Sequence, residues 1–505
     1  MRRLILASLT TSGLALGVAR AQTPPASAPA RRALERRLQT LLQRPPFNRA
    51  AWLVYALDDR GRVLVDHNGQ QFAVPASNTK LVVTATAAVL LAPDFRARTS
   101  VYTNGTVTDG VLQGDVILYG RGDPTFSSRC FRADSLAPGA CDSSFVPMRA
   151  LADSLRARGI RRITGRVIGD GSYFEPTMIH WNWGSFDLNW WYAAPVSGLA
   201  FNDNAIDFAI TPGAGVDQPP FITWTPDLGL IRFENRARTV PADSSTTIGD
   251  NFFRQPGTWD IWAEGTVALG RRPWVESFAV PDPNLYAARA LAHALQERGI
   301  AIEGGSVSTT DSLAFRSARC CGAPLADYLG RPLPDIIFPI LNTSQNTFAE
   351  YLLKILGREL KGEGSWAAGL GVERSFLIDS VGLDSTAFAL DDASGLSAGN
   401  LVTPAAFVRL LRYMARHPKA APFLAALPRA GGPGSLRSRF VGTPLEGRVV
   451  AKTGSIHRVN TISGYIERPG ASRITFSIQA NAHTAPTRQI LAQLDSIVVA
   501  IGTAK

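Results

Sequence analysis

Pro75-Ala76-Ser77-Asn78-Thr79-Lys80-Leu81-Val82-Val83-Thr84-Ala85-Thr86-Ala87-Ala88-Val89-Leu90 places a serine at the head of an apolar run of helical length, with Pro93 just past its end. The pattern predicts a buried helix. Residues three apart share a helix face, so Lys80 stands beside Ser77 one turn on. An N-cap serine followed by an ordinary lysine is the bland interpretation. A nucleophile needs more: an amine unprotonated near neutral pH, which burial and a second nearby cation such as Lys452 would both favour. The composition supports that use of lysine. The chain has 46 Arg but only six Lys, at 80, 354, 361, 419, 452 and 505. Lys is therefore scarce where a charge alone would do, and Arg cannot give up its proton.

Two further motifs follow in order, Ser344-Gln345-Asn346 and Lys452-Thr453-Gly454. S-x-x-K, S-x-N and K-T-G are each common by chance, but their order assembles one acyl-transfer site. Ser77 is the candidate nucleophile and Lys80 its general base. Ser344 could pass a proton to a leaving amine, and Asn346 could bond the substrate backbone or hold Lys80. Lys452, with the hydroxyls of Thr453 and Ser455, could hold a terminal carboxylate. Gly454 in a strand allows a ligand to approach closely. The backbone N–H groups of Ser77 and Ser455 would form the oxyanion hole, worth about 2.7–4 kcal/mol per donor in comparable sites.

Outward from these motifs, Ala51–Leu57 and 62–65 read as two strands joined at Asp58-Asp59-Arg60-Gly61. Near the other end, 448–455, 461–467 and 473–479 read as three more, and 487–501 closes the chain as an amphipathic helix. Together they predict an α+β fold with one five-stranded antiparallel sheet flanked by helices. The chain ends then meet in space. Between 95 and 324 short strand-like runs alternate with turn-rich loops, which predicts a large inserted mixed α/β region, divided into two sub-domains. The discontinuous catalytic domain is expected over 22–94 and 325–505. Asp282-Pro283 and Thr403-Pro404 each read as an N-cap followed by proline at the first helical position.

Met1-Arg2-Arg3, the apolar stretch 4–18 and Ala19-Arg20-Ala21 form a signal peptide, 1–21, with cleavage near Ala21. The apolar stretch is shorter than the roughly 20 residues needed to span a bilayer. No later stretch is long enough either, so the mature chain is expected to carry no integral membrane segment and to be periplasmic or secreted. Removing three Arg lowers the formal charge from +11 to +8. The remaining Arg are scattered, without a dense basic tract, which excludes a nucleic-acid footprint. Of four cysteines, Cys130 and Cys141 bracket a Gly/Pro/Ser-rich loop and are expected to pair, while adjacent Cys320 and Cys321 either bond or stay reduced. The six scattered His form no metal-binding pattern, and no cofactor is expected.

The three motifs resemble those of the penicillin-binding serine D-alanyl-D-alanine peptidases, in particular the class C low-molecular-mass carboxypeptidase/endopeptidases. The resemblance covers nearly the whole mature chain. Gly120-Arg121-Gly122-Asp123-Pro124 is similar to the family's G-G-G-D-P segment, and Asp392-Ala393-Ser394-Gly395-Leu396-Ser397 to its D-G-S-G-L-S segment. It implies a transpeptidase/β-lactamase-like domain and a bacterial enzyme acting on peptidoglycan peptides through an acyl-Ser77 intermediate, with β-lactams as covalent inhibitors. Departures are Gln345 for the usual Asp or Asn, Arg458 where Gly is common, and Ala393 for Gly.

Three rival interpretations have distinct signatures. A β-lactamase-like hydrolase would call for a Glu in an E-x-x-x-N pattern between the second and third motifs. None of Glu350, Glu359, Glu363, Glu373 or Glu446 has Asn four residues on. Gly395-Leu396-Ser397-Ala398-Gly399 matches G-x-S-x-G, with His457 or His483 as base, but that elbow needs a strand running straight into a helix. A non-catalytic cell-wall-binding protein would use the aromatic segment 181–191 to stack sugars, although Trp is on average a packing residue.

Overall fold

The computed structural model describes residues 28–126, 143–255, 257–468 and 473–504. The signal peptide with its cleavage point near Ala21, and the expected Cys130–Cys141 pair, lie outside the described residues.

The two ends of the chain build one antiparallel sheet in the order Val63–His67, Ala51–Leu57, Ile474–Asn481, Val459–Ile466, Val449–Ile456. Ala51 pairs with Asn481 and Leu57 with Thr475, so the first long strand is zipped to the last. Strand side chains alternate between faces. On one face Val54, Ala56, Ala451, Ile462, Ile466 and Ile478 pack with Leu34, Leu38 and Leu42 of the Ala28–Leu42 helix and with Ile490, Leu494 and Ile497 of the Thr487–Gly502 helix. On the other face Val450 and Tyr465 join a helical core of Leu81, Val83, Leu352, Leu356, Phe407 and Leu411. Lys452 is two residues from Val450, so alternation aims it at the helical side, where the site forms.

The inserted region carries a five-stranded sheet in the order Ser306–Thr309, Val167–Asp170, Val116–Gly120, Arg98–Thr103, Ala326–Leu329, and two three-stranded sheets built from 205–279. Ala326–Leu329 pairs with Arg98–Val101, which carries the inserted sheet past the expected boundary at 324. The strand is short and follows a turn-rich run, so no periodicity marks it. The sheets of the inserted region share a core that runs from Val101 through Phe208 and Phe278 to Ala326. Aromatic edges knit it: Phe201 meets Tyr286 at 5.1 Å and Phe208 meets Phe278 at 5.6 Å between ring centroids.

Both expected Pro-led helices form. Asp282 accepts from Asn284 N and Leu285 N ahead of Pro283–Glu297, and Thr403 accepts from Ala406 N ahead of Pro404–Met414. Cys320 and Cys321 are free and exposed at the end of the Arg316–Cys321 helix. No helix among the described residues is long and apolar enough to cross a membrane.

Candidate active site

The first motif sits on a single 3-10 turn, Ala76–Thr79, that runs into the helix Lys80–Leu90. The central sheet holds this turn from below. Asn78 Nδ2 donates to Ser463 Oγ at 2.6 Å, and Thr461 Oγ1 donates to Pro75 O at 2.8 Å. Ala76 is left-handed, with φ 46°. Ser77 is left half-buried, while Lys80 behind it is fully buried.

Lys80 Nζ has three neighbours at hydrogen-bond distance: Ser77 Oγ at 2.8 Å, Asn346 Oδ1 at 2.7 Å and Ser394 O at 2.6 Å. Asn346 Nδ2 donates to Tyr192 O at 2.8 Å, which fixes the amide's orientation. Asn346 opens the helix Asn346–Lys361, with Gln345 as its N-cap accepting from Thr347 N. Gln345 Nε2 also donates to Asp203 Oδ2 at 2.9 Å. The inserted region thus clamps the second motif from outside. It does so through Asp203, the middle one of three consecutive left-handed residues, Asn202, Asp203 and Asn204, of the types that tolerate that conformation. Ser344, just before the cap, is left-handed too, at φ 67°, a conformation that clusters at functional sites.

The third motif lies on the edge strand Val449–Ile456. Lys452 Nζ donates to Thr453 O at 2.6 Å and lies 2.8 Å from Ser344 Oγ. Thr453 Oγ1 is 3.1 Å from Ser435 Oγ, and Asn460 Nδ2 donates to Ser455 Oγ at 2.7 Å. At Gly454 a Cβ would come within 2.3 Å of Thr461 Oγ1 and 2.9 Å of Ser77 N. Only glycine lets this strand lie against the Ser77 turn, which brings Ser455 next to the nucleophile. Half-exposed Ser77, Ser344, Asn346 and Thr453 and exposed Ser455 therefore form a polar floor over two buried amines.

Burial decides the charge on those amines. It lowers the Lys80 pKa to about 7, against the opposing pull of the Asp392 and Glu350 carboxylates. The influence of a second cation shows at Lys452, whose pKa is held well below the ordinary lysine range by burial and then by Lys80. Near neutral pH, Lys80 has a substantial neutral fraction, as a general base requires.

All eight residues singled out from the sequence (Ser77, Lys80, Ser344, Asn346, Lys452, Thr453, Gly454, Ser455) come together here. The sequence did not single out the Ser394 carbonyl, Ser435, Asn460 or Tyr192. The first belongs to the loop 392–397, whose Asp392 accepts from Gly395 N at 2.7 Å and Ser397 N at 2.8 Å. Ser397 is buried in that loop and donates to Asp391, so it heads no nucleophile elbow. His483 is tied to Asn460 instead, with Nε2 2.8 Å from Oδ1. In the aromatic segment Trp183 and Trp190 are buried, and Trp183 Nε1 donates to Asp392 Oδ2 at 2.9 Å, so these rings pack rather than offer a surface; Trp181 is exposed.

The profile of the D-Ala-D-Ala carboxypeptidase 3 (S13) family matches residues 34–500. A D-alanyl-D-alanine carboxypeptidase of Actinomadura sp. (strain R39) is 30% identical over 475 residues, spanning 92% of this chain and 83% of its own length. The D-alanyl-D-alanine carboxypeptidase DacB of Haemophilus influenzae is 25% identical over 428 residues, 83% of this chain and 82% of that protein. The crystal structure of penicillin binding protein 4 (dacB) from Haemophilus influenzae superposes with a TM-score of 0.78 at 23% identity, covering 91% of this chain and 98% of that one.

Proposed function

The chain belongs to the D-Ala-D-Ala carboxypeptidase 3 (S13) family, and from that premise we propose that its serine-type D-Ala-D-Ala peptidase activity runs through Ser77 and Lys80 by the following steps. Neutral Lys80 takes the Ser77 hydroxyl proton as Oγ attacks the carbonyl between the two terminal D-Ala residues. The N–H groups of Ser77 and Ser455 stabilise the oxyanion that forms. Ser344, joined to Lys452, delivers its proton to the leaving nitrogen and is reprotonated with the proton that Lys80 took from Ser77, which returns Lys80 to the neutral amine. The peptide C–N bond breaks, free D-Ala departs, and the rest of the peptide is esterified to Ser77. Water, deprotonated by Lys80, then cleaves the ester and restores the hydroxyl.

Lys452, Thr453 and Ser455 bind the substrate's terminal carboxylate in this scheme. An incoming carboxylate favours the ammonium form of Lys452, against the burial that holds its pKa well below the ordinary lysine range. A β-lactam enters the same route, but its leaving nitrogen stays tethered in the opened ring and the acyl-Ser77 ester persists. One relative's structure, that of the Haemophilus influenzae protein, was solved complexed with a novel beta-lactam. Cleavage of a peptide cross-link needs only that the group beyond the scissile bond be longer than one D-Ala, so endopeptidase action is proposed for the same residues. The N-terminal residues 1–21 support export to the periplasm or beyond, where peptidoglycan is met.

One observation carries this scheme: Lys80 Nζ at 2.8 Å from Ser77 Oγ, fully buried. Purified mature protein is incubated with a muramyl pentapeptide and with a cross-linked dimer, and products are weighed. Loss of one alanine mass from the pentapeptide is the expected result. Failure both to release D-Ala from the pentapeptide and to split the dimer into two monomers contradicts the scheme.

A further inference from the structure

A neutral lysine amine has two N–H donors and one lone pair. Two of the three neighbours of Lys80 Nζ, the carbonyl oxygens of Asn346 and Ser394, can only accept. They consume both N–H groups, and the lone pair is left for the Ser77 hydroxyl. The direction of the lone pair therefore depends on where the Ser394 carbonyl stands. That carbonyl lies in an irregular loop, and its position needs a cause.

The cause is Glu350. It is fully buried on the Asn346–Lys361 helix, one turn beyond Asn346 and on the same face. Its Oε1 accepts from Ser394 N at 2.7 Å, and its Oε2 accepts from Trp366 Nε1 at 2.8 Å and from Ala393 N at 3.3 Å. Asn346 and Glu350 are thus two arms of one helix. The first takes one proton of Lys80 directly, and the second holds the backbone that takes the other. Gly395 lets the loop close over this arrangement. Its φ is 77°, and a Cβ there would fall 1.9 Å from Ala76 O, in the turn that carries Ser77.

We propose that Glu350 is a positioning residue for the general base: its carboxylate fixes the Ala393–Ser394 backbone so that the lone pair of neutral Lys80 points at Ser77. The inference rests on the assignment of Ser77 and Lys80 above. Other charged or titratable groups stand around Glu350. Asp392 faces it from the loop, Glu373 from the Trp366–Ser375 helix, Lys354 from its own helix and Lys80 from across the site. Behind them Lys354 pairs with Glu175 at 3.1 Å, His180 feels Asp391, Asp392 and Lys354, and Lys452 faces Lys80. Burial raises the pKa of Glu373 well above the ordinary carboxylate range and that of Glu350 to about 7, and the charges of Asp392 and Glu350 are the ones that raise the Lys80 pKa.

The test uses full-length mature enzyme, with the rate of penicillin acylation followed across pH. Glu350→Gln retains the shape but turns an amide donor toward two N–H groups. The plateau rate constant should fall by about tenfold to a hundredfold, the usual cost of a misplaced catalytic group. The acid limb should also move by about half a unit to lower pH, because a charge favouring the ammonium form has gone. Glu350→Asp keeps the charge but falls one carbon short, and should lower the plateau with the limb unmoved. Either variant acylating within about twofold of the parent with an unmoved limb overturns the proposal. Where a variant does not fold, a crystal structure of the unaltered enzyme decides. The Glu350–Ser394 and Ser394–Lys80 bonds must both be present, and the absence of either overturns it. Ser77→Ala separates the two claims. If that variant still takes the label, the nucleophile assignment falls. If it is silent while Glu350→Gln matches the parent, only the positioning role falls.

Discussion

Lys80 is a base because it is buried, and its chemistry is pH-dependent for the same reason. Its pKa of about 7 means that below neutrality the ammonium form dominates and no lone pair faces Ser77. Acylation should be constant above about pH 8 and should fall about tenfold for each pH unit below about 7. The sign follows from the depressed pKa: the active form is the deprotonated one, so activity is lost as pH falls. Lys80→Arg keeps the positive charge at every accessible pH and should lower the acylation rate by about 10²–10⁴-fold without moving the limb into range. A pH profile of penicillin acylation on both proteins checks this. An active Lys80→Arg variant would remove Lys80 from the base role.

At the scale of the element, the edge strand Val449–Ile456 and the Ser77 turn are one device, because Gly454 is where they touch. Gly454→Ala would put a methyl group against Thr461 Oγ1, Pro75 O and Ser77 N. The strand must then move away from the nucleophile, which separates the two oxyanion donors. Acylation should drop by about a hundredfold while the fold survives, since the clash is confined to one edge; stopped-flow acylation beside a melting curve would show it. These contacts also explain what the sequence could and could not reveal. Ala51–Leu57 is a short apolar run closed by the turn residues Asp58-Asp59-Arg60-Gly61, and the structure has a strand over that span. Asp282-Pro283 and Thr403-Pro404 announce their helices through local capping chemistry alone. Glu350 was visible only as a candidate lacking Asn four residues on. Its Asn stands four residues before it, as Asn346. The Ser394 carbonyl had no signal at all, because a backbone group leaves no mark in side-chain identity. The strand Ala326–Leu329 has only four residues and takes its identity from pairing with Arg98–Val101, which is information held elsewhere in the chain.

At the scale of the molecule, the site exists only because distant segments converge. Lys80 meets Asn346 across 266 positions. The inserted region does more than occupy that interval, since Tyr192, Asp203 and Asn204 reach into the catalytic half. Asn204 Nδ2 donates to Tyr351 OH at 2.9 Å, and Tyr351 OH donates to Leu199 O at 2.6 Å, behind the second motif. The central claim is that Ser77 is the nucleophile this convergence creates. Labelled penicillin, followed by digestion and mass spectrometry, tests it most directly. The label should appear on the peptide containing Ser77, at one per chain, and should vanish in a folded Ser77→Ala variant. Label on any other residue, or equal labelling of Ser77→Ala, would contradict it.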